Sequence, residues 1–385
     1  MPGYPVRREL TGGFAAGSPG QGRAVRRTEE RTEGKHMGIV ESVQAVMWAR
    51  KRQPDHVAHG ITLGHERFGP RELLDQAAEA ERAGFDFVGC SDHLAPWWDP
   101  AGGPPAHCAN AWVWLGAAGQ ATSSVSLGPA VSAIVHRYNP VVMAQQAATL
   151  ELLNPGRAFL AVGSGEAMNE VPAGLDWPSP AEQLTRTEEA LEIITGLLDG
   201  ETVTREGRYF RATRARLYDL PDRRVPVYMS AFGPHAAAIA GRLADGVWTL
   251  AHPVKAPKVI AAYREAAEKA GRTPGEIILQ AIASVADSDD LALESSREWK
   301  ATLADEPYAE DVSDPAQVGA IGENVSDRKY KMMAIVSADP ARHVRQLKAI
   351  RGMGATAVAV MNVSAADPLG MIRMYGEQVL PELRG

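Results

Sequence analysis

What most constrains this chain is an alternation that begins at Gly60, where short apolar, β-branched runs take turns with longer segments of helical period. The runs are Gly60–Leu63, Phe85–Cys90, Val125–Val131, Ala158–Val162, Val225–Ser230, Gly246–Leu250, Ile278–Val285 and Ala355–Met361. Several of the intervening segments open on a proline at the first helical position, as at Pro70, Pro140 and Pro234. About eight strands, each followed by a helix, is the pattern of an α/β fold of the (β/α)8 TIM-barrel type. A doubly wound sheet is the alternative that the same alternation would build. The strand count, and the absence of a G-x-G-x-x-G after the first run, favour the barrel. Residues 286–330 break the rhythm. They are long, charged and interrupted by proline, and read as an insertion that covers the C-terminal mouth of the barrel before its last strand.

A barrel of this kind accommodates 385 residues as one domain, and 45% apolar against 23% charged residues is a globular balance. The formal net charge of −7 argues against a nucleic-acid partner. The two cysteines, Cys90 and Cys108, form no C-x-x-C pair and lack neighbouring histidine spacing, so neither a zinc site nor a disulfide framework is expected, and no metal ligand is assigned. No apolar run approaches the roughly 20 residues needed to span a bilayer, and the sequence after Arg7-Arg8 is too polar for a signal peptide. The expected location is cytoplasmic. Residues 1–50 differ from the rest: the Gly17–Gly22 stretch and the Arg/Glu-rich sequence after it cannot bury enough apolar surface to offset ordering, so a disordered tail is expected. Met37 and Met47 are alternative starts. The catalytic domain is taken as residues 55–385.

In a barrel the reactive groups belong at the C-terminal ends of the strands. The first run ends in Gly64-His65-Glu66, the second in Ser91-Asp92-His93 with Pro96-Trp97-Trp98 behind it. The fourth ends in Gly163-Ser164-Gly165-Glu166 followed by Asn169 and Glu170, and the fifth in Ser230-Ala231-Phe232-Gly233. His93 suits a general base near neutral pH, or else simply hydrogen-bonds in a strand-end loop. Glu166 follows a Gly-x-Gly that lets backbone pass close to a ligand, or else is an acid at a helix N-terminus. Trp97 and Trp98 wall a flat ring, or else only pack. Phe232-Gly233-Pro234 opens a helix whose free N–H groups would seat a phosphate.

Together these stretches resemble one family. Ser91–Trp97, Arg137-Tyr138-Asn139-Pro140 with the nearby Gln145–Leu150 helix, Gly163–Glu170 and Val225–Ala231 are similar, in order and spacing, to the F420-dependent glucose-6-phosphate dehydrogenases and their relatives in the luciferase-like class. The resemblance runs from Gly60 to near the end of the chain. It implies coenzyme F420 (a deazaflavin) at the mouth of the barrel, with FMN as the alternative cofactor, and a homodimer. It implies His93 as the base that takes the substrate hydroxyl proton, Glu166 as the proton donor to the ring, Trp97 supporting the transition state and Glu66 near the substrate. It implies cofactor contacts at Asp92, Ala130, Val131, Gly163, Ser164, Gly165, Asn169, Ser230, Ala231, Phe232 and Gly233, and a non-prolyl cis peptide at Ala130–Val131.

The sequence departs from the sugar-phosphate members where they carry basic residues. No lysine stands directly after Asp245-Gly246, although Lys255 follows, and Met332-Met333 occupy a basic position with Lys329 and Lys331 upstream. A phosphate dianion needs such partners, so a less charged alcohol and a differently placed sugar phosphate both stand as substrates. Three functions follow: an F420-dependent alcohol or sugar-phosphate dehydrogenase, an FMN-dependent monooxygenase of the same class, and a (deaza)flavin-binding protein without turnover.

Overall fold

The computed structural model describes residues 56–384. The expected tail and the alternative starts lie outside the described residues. All eight apolar runs form strands: β1 (Ala58–Leu63), β2 (Phe87–Cys90), β3 (Ser126–Pro129), β4 (Leu160–Gly163), β5 (Val227–Ser230), β6 (Gly246–Leu250), β7 (Glu276–Ser284) and β8 (Ala357–Asn362). They pair in parallel in the order β3-β2-β1-β8-β7-β6-β5-β4. A two-residue strand, Ser132–Ala133, carries the chain on from β3 and pairs with the end of β4. With the bridge between Leu127 and Ala158 it brings the two edges together. The result is a nearly closed barrel rather than a doubly wound sheet. Pro70, Pro140 and Pro234 each open a helix, at Pro70–Ala83, Pro140–Leu153 and Pro234–Leu243. The peptide between Ala130 and Val131 is cis.

Strand residues alternate between two cores, as the period of two requires. Phe87, Phe159, Tyr228, Trp248 and Ile278 fill the barrel, while Ile61, Leu63, Val88, Val162 and Val227 face the helices. Gly60 is small for a reason: a Cβ there would lie 2.2 Å from the ring of Phe87. The antiparallel hairpin Val203–Glu206 with Arg211–Ala215 escaped the sequence reading, because its strands are half exposed and carry no apolar run.

The insertion packs as expected over the mouth. Its helices Asp289–Glu294, Pro315–Glu323 and Asp327–Met333, and the 3-10 turn Arg297–Leu303, surround Trp299 and Tyr330, both fully buried. Trp97, Trp98 and Met168 share that cluster, which fixes the lid to the loops after β2 and β4.

His59, on the helix-facing side of β1, is buried with neither ring nitrogen hydrogen-bonded. Burial, with Arg351 and Arg384 nearby, pushes its pKa down from 6.5 to about 3. The unfolded chain therefore binds a proton that the folded protein refuses between those values, and stability falls as pH drops through that window. The ceiling of this contribution is roughly 5 kcal/mol. His59→Leu is expected to flatten the acid limb of stability against pH, read as urea midpoints from pH 7 to pH 4. An unchanged slope would place the acid sensitivity elsewhere.

Candidate active site

The loop after β2 leaves the sheet as Ser91-Asp92-His93, and each of the three is held differently. Asp92 is buried and accepts from Ser132 Oγ (2.6 Å), Tyr138 OH (3.1 Å) and Arg137 Nη1 (3.3 Å). Arg137 also donates from Nη2 to the Asp92 carbonyl (2.8 Å) and from Nε to Glu170 Oε1 (3.3 Å). Burial opposes the charge on Arg137, but Asp92 and Glu170 outweigh it and raise its pKa. Burial dominates at Glu170 and raises its pKa, with Arg137 opposing. This ion triad ties the loop after β2 to the short helix after β4.

Ser91 anchors the next group. Its Oγ donates to Glu66 Oε2 (2.6 Å), and Trp97 Nε1 donates to Glu66 Oε1 (3.2 Å). The fully buried Glu66 carboxylate thus sits 3.5 Å behind His93 Nδ1. The Ala95 carbonyl is 3.3 Å from the same nitrogen. Two acceptors, the Glu66 carboxylate and the Ala95 carbonyl, face Nδ1 against one donor, Asn169 Nδ2 at 3.3 Å, and this balance assigns the proton to Nδ1 and leaves Nε2 bare. That Nε2 faces Glu166 Oε2 at 4.0 Å. Asn169 spans the two sides: its Oδ1 accepts from the backbone of Leu94 and Ala95, and its Nδ2 donates to Glu166 Oε2 (3.0 Å). Glu166 occupies the N-cap position of Ala167–Glu170 without making a capping bond, and its carboxylate accepts instead from Asn169 Nδ2.

These groups open onto a cavity of about 530 Å³. Glu66, Asp92, His93, Trp97 and Glu166 line it, as do Ala130, Val131, Gly163, Ser164, Gly165, Ser230, Phe232 and Gly233. Two expected contacts do not reach it. Ala231, the first residue after β5, keeps the alternation of that strand and turns into the outer core. Asn169 supports His93 and Glu166 from behind, 1% exposed. Asp92 reaches the wall with its carboxylate already taken by protein donors. Trp98 turns away to donate to the Pro104 carbonyl and pack on Trp299, so of the tryptophan pair only Trp97 faces the cavity. Lys329, Lys331, Met332 and Met333 are absent from the lining, while Lys255 is present.

Tyr308 and Thr302 of the insertion, and Gln280 of β7, also line the cavity. Tyr308 carried no signal, since spacing inside an irregular insertion says nothing about which ring turns inward. Gln280 did carry one: a lone polar residue in an apolar run is an interior-facing position.

The bed formed by Ala130, Val131, Gly163, Gly165 and Ser230 fits a flat ring, because nothing bulky projects from it. Gly165 holds φ +77°, and a Cβ there would also lie 2.8 Å from that of Ala133. Beyond it, Gly233 opens Pro234–Leu243 with no side-chain cap, so backbone N–H groups remain for an anionic tail.

Residues 45–357 match the family described as luciferase-like monooxygenase. The chain is 39% identical over 332 residues to an F420-dependent glucose-6-phosphate dehydrogenase of Microbacterium testaceum, covering 84% of this chain and 97% of that one. It is 35% identical over 326 residues to an F420-dependent hydroxymycolic acid dehydrogenase of Mycobacterium tuberculosis, covering 84% and 88%. Among solved structures it superposes on an F420-dependent secondary alcohol dehydrogenase in complex with an F420–acetone adduct, with TM-score 0.82, 34% identity, and coverage of 86% and 99%.

Proposed function

This chain belongs to the luciferase-like monooxygenase family, and from that premise we propose that it is an F420-dependent dehydrogenase acting on a hydroxyl group. The observation that carries the reading is the pairing of His93 Nε2 with Glu166 Oε2 at 4.0 Å on the wall of one cavity, with Glu66 behind the imidazole. When bound, the deazaflavin supplies a ring carbon that accepts hydride and has little use for oxygen. The bed from Ala130 to Ser230 and the Gly233 N-terminus would hold it.

An alcohol releases hydride only as its hydroxyl proton leaves. His93 Nε2 takes that proton, and Glu66 stabilises the imidazolium from the far side through Nδ1. Glu166, on the same wall, would serve as the acid that protonates the cofactor when it is bound. At 4.0 Å the two side chains are close enough, through a small rotation or one water, for the proton gained by His93 to reload Glu166. Trp97 holds Glu66 through its indole N–H and screens the dyad from water.

A fluorescence titration with F420, and separately with FMN, tests the reading. Tight F420 binding with weak FMN binding is expected. Preference for FMN would move the protein to oxygen chemistry and remove His93 as an alcohol base. If F420 binds but no alcohol is oxidised and His93→Ala changes nothing, the protein is a carrier.

The proposal includes a homodimer and a cytoplasmic setting. Among the described residues no helix is long and apolar enough to cross a membrane. Helices Ala111–Ala121 and Pro140–Leu153 pack side by side and leave Val113, Val142, Leu152 and Leu153 exposed, an apolar surface suited to a second copy. Sedimentation is expected to show a dimer that Leu153→Glu weakens. A monomeric native protein would remove the dimer from the proposal.

A further inference from the structure

Building on the reading that this cavity oxidises a hydroxyl group, we propose that its substrate is an uncharged alcohol bearing an apolar arm, not a sugar phosphate. The first support is charge. Among the described residues lining the cavity the acids are Glu66, Asp92, Glu166 and Asp305, and the one lysine or arginine is Lys255. Lys255 stands at the exposed rim, its Nζ 2.9 Å from Asp305 Oδ1 in a solvent-screened pair, away from the buried wall where His93 and Glu66 meet. Arg137 is turned behind the site onto Asp92 and Glu170. A phosphate dianion would enter past carboxylates and find neither a free guanidinium fork nor an unpaired ammonium.

The second support is shape. Four rings touch in sequence along the wall: His93 with Trp97 at 5.2 Å between centroids, Trp97 with Tyr308 at 5.5 Å, and Tyr308 with Phe232 at 5.2 Å. Trp97 is buried, whereas Phe232 is 43% exposed, so the row runs from the base to the mouth. The hydroxyl of Tyr308 is spent on the Thr302 carbonyl (3.1 Å), which leaves its ring as the contact surface. Leu250, Ile282 and Met361 add further apolar lining. A carbinol placed at His93 Nε2 sends its larger substituent along these rings toward solvent.

The test is a series from 2-propanol to 2-octanol, with glucose and glucose 6-phosphate beside it. Each is read twice: as kcat/KM with F420, and as calorimetric binding to the protein without cofactor. Each methylene buried along the rings is expected to improve both by about threefold to fourfold. Glucose 6-phosphate is expected to be no better than glucose. Tyr308→Ala is expected to flatten the gain per methylene and Tyr308→Phe to retain it, with thermal melts showing that both variants fold. A preference for glucose 6-phosphate that Lys255→Met abolishes would overturn the proposal, as would a flat chain-length series in both readouts. If F420 fails to bind, the dehydrogenase reading falls by itself, while the calorimetric series still decides the class of ligand.

Discussion

His93→Ala is expected to lower kcat by about 10²–10⁴-fold with the affinity for F420 nearly unchanged. The reason lies in the geometry of the imidazole. Nδ1 is held among the Glu66 carboxylate, the Ala95 carbonyl and the Asn169 amide, and Nε2 is turned to the cavity, so the imidazole has one face for orientation and one for chemistry. Little else depends on it, because the loop that carries it is fixed by Asp92 and by Asn169. Steady-state kinetics beside a cofactor titration decide the matter. Equal losses of kcat and of cofactor binding would make His93 a binding residue and leave the alcohol proton without an acceptor. His93→Asn, similar in size and polar but not basic, is expected to be as slow as the alanine variant, which a packing role would not produce.

Arg137→Met is expected to be the most damaging single change to stability near the site. It would leave Asp92 and Glu170, both buried, without their shared counter-charge. Breaking one partner out of such a group costs about 3–5 kcal/mol. For a domain of this size that is a fall in Tm of about 4–7 °C. The sign of the pH dependence follows from the same burial. Protonating the stranded carboxylates relieves the penalty, so the deficit of the variant should shrink as pH falls from 8 to 5. Arg137→Lys restores a charge but not the fork that reaches Asp92 and Glu170 together, and should recover only part of the loss. Thermal melts at the two pH values check this. A deficit below about 1 kcal/mol would show that the carboxylates find other partners or water.

The alternation from Gly60 onward determined the barrel by itself. Eight continuous apolar runs must be covered on both faces, and helices of matching number on one side with side chains on the other are the arrangement that covers them. The same logic placed Glu66, His93 and Glu166 at one end of the molecule, because each directly follows a run, and parallel strands deliver their C-termini to one rim. The insertion was legible as an interruption for the same reason. Three things needed the tertiary structure. Which of two neighbours faces the cavity depends on strand phase at the exit, which is why Ser230 and Phe232 reach it and Ala231 does not. Whether a polar residue touches a ligand or holds another residue depends on what lies behind it. That is how Asn169, read as a contact, became the bridge between His93 and Glu166, and how Arg137 became the clasp of a buried ion triad. The aromatic row that ends at Phe232 depends on Tyr308, which comes from an irregular segment more than 200 residues after Trp97. Local pattern fixes which elements exist and which rim they share. Contacts made across that rim by distant side chains exist only once the barrel has closed.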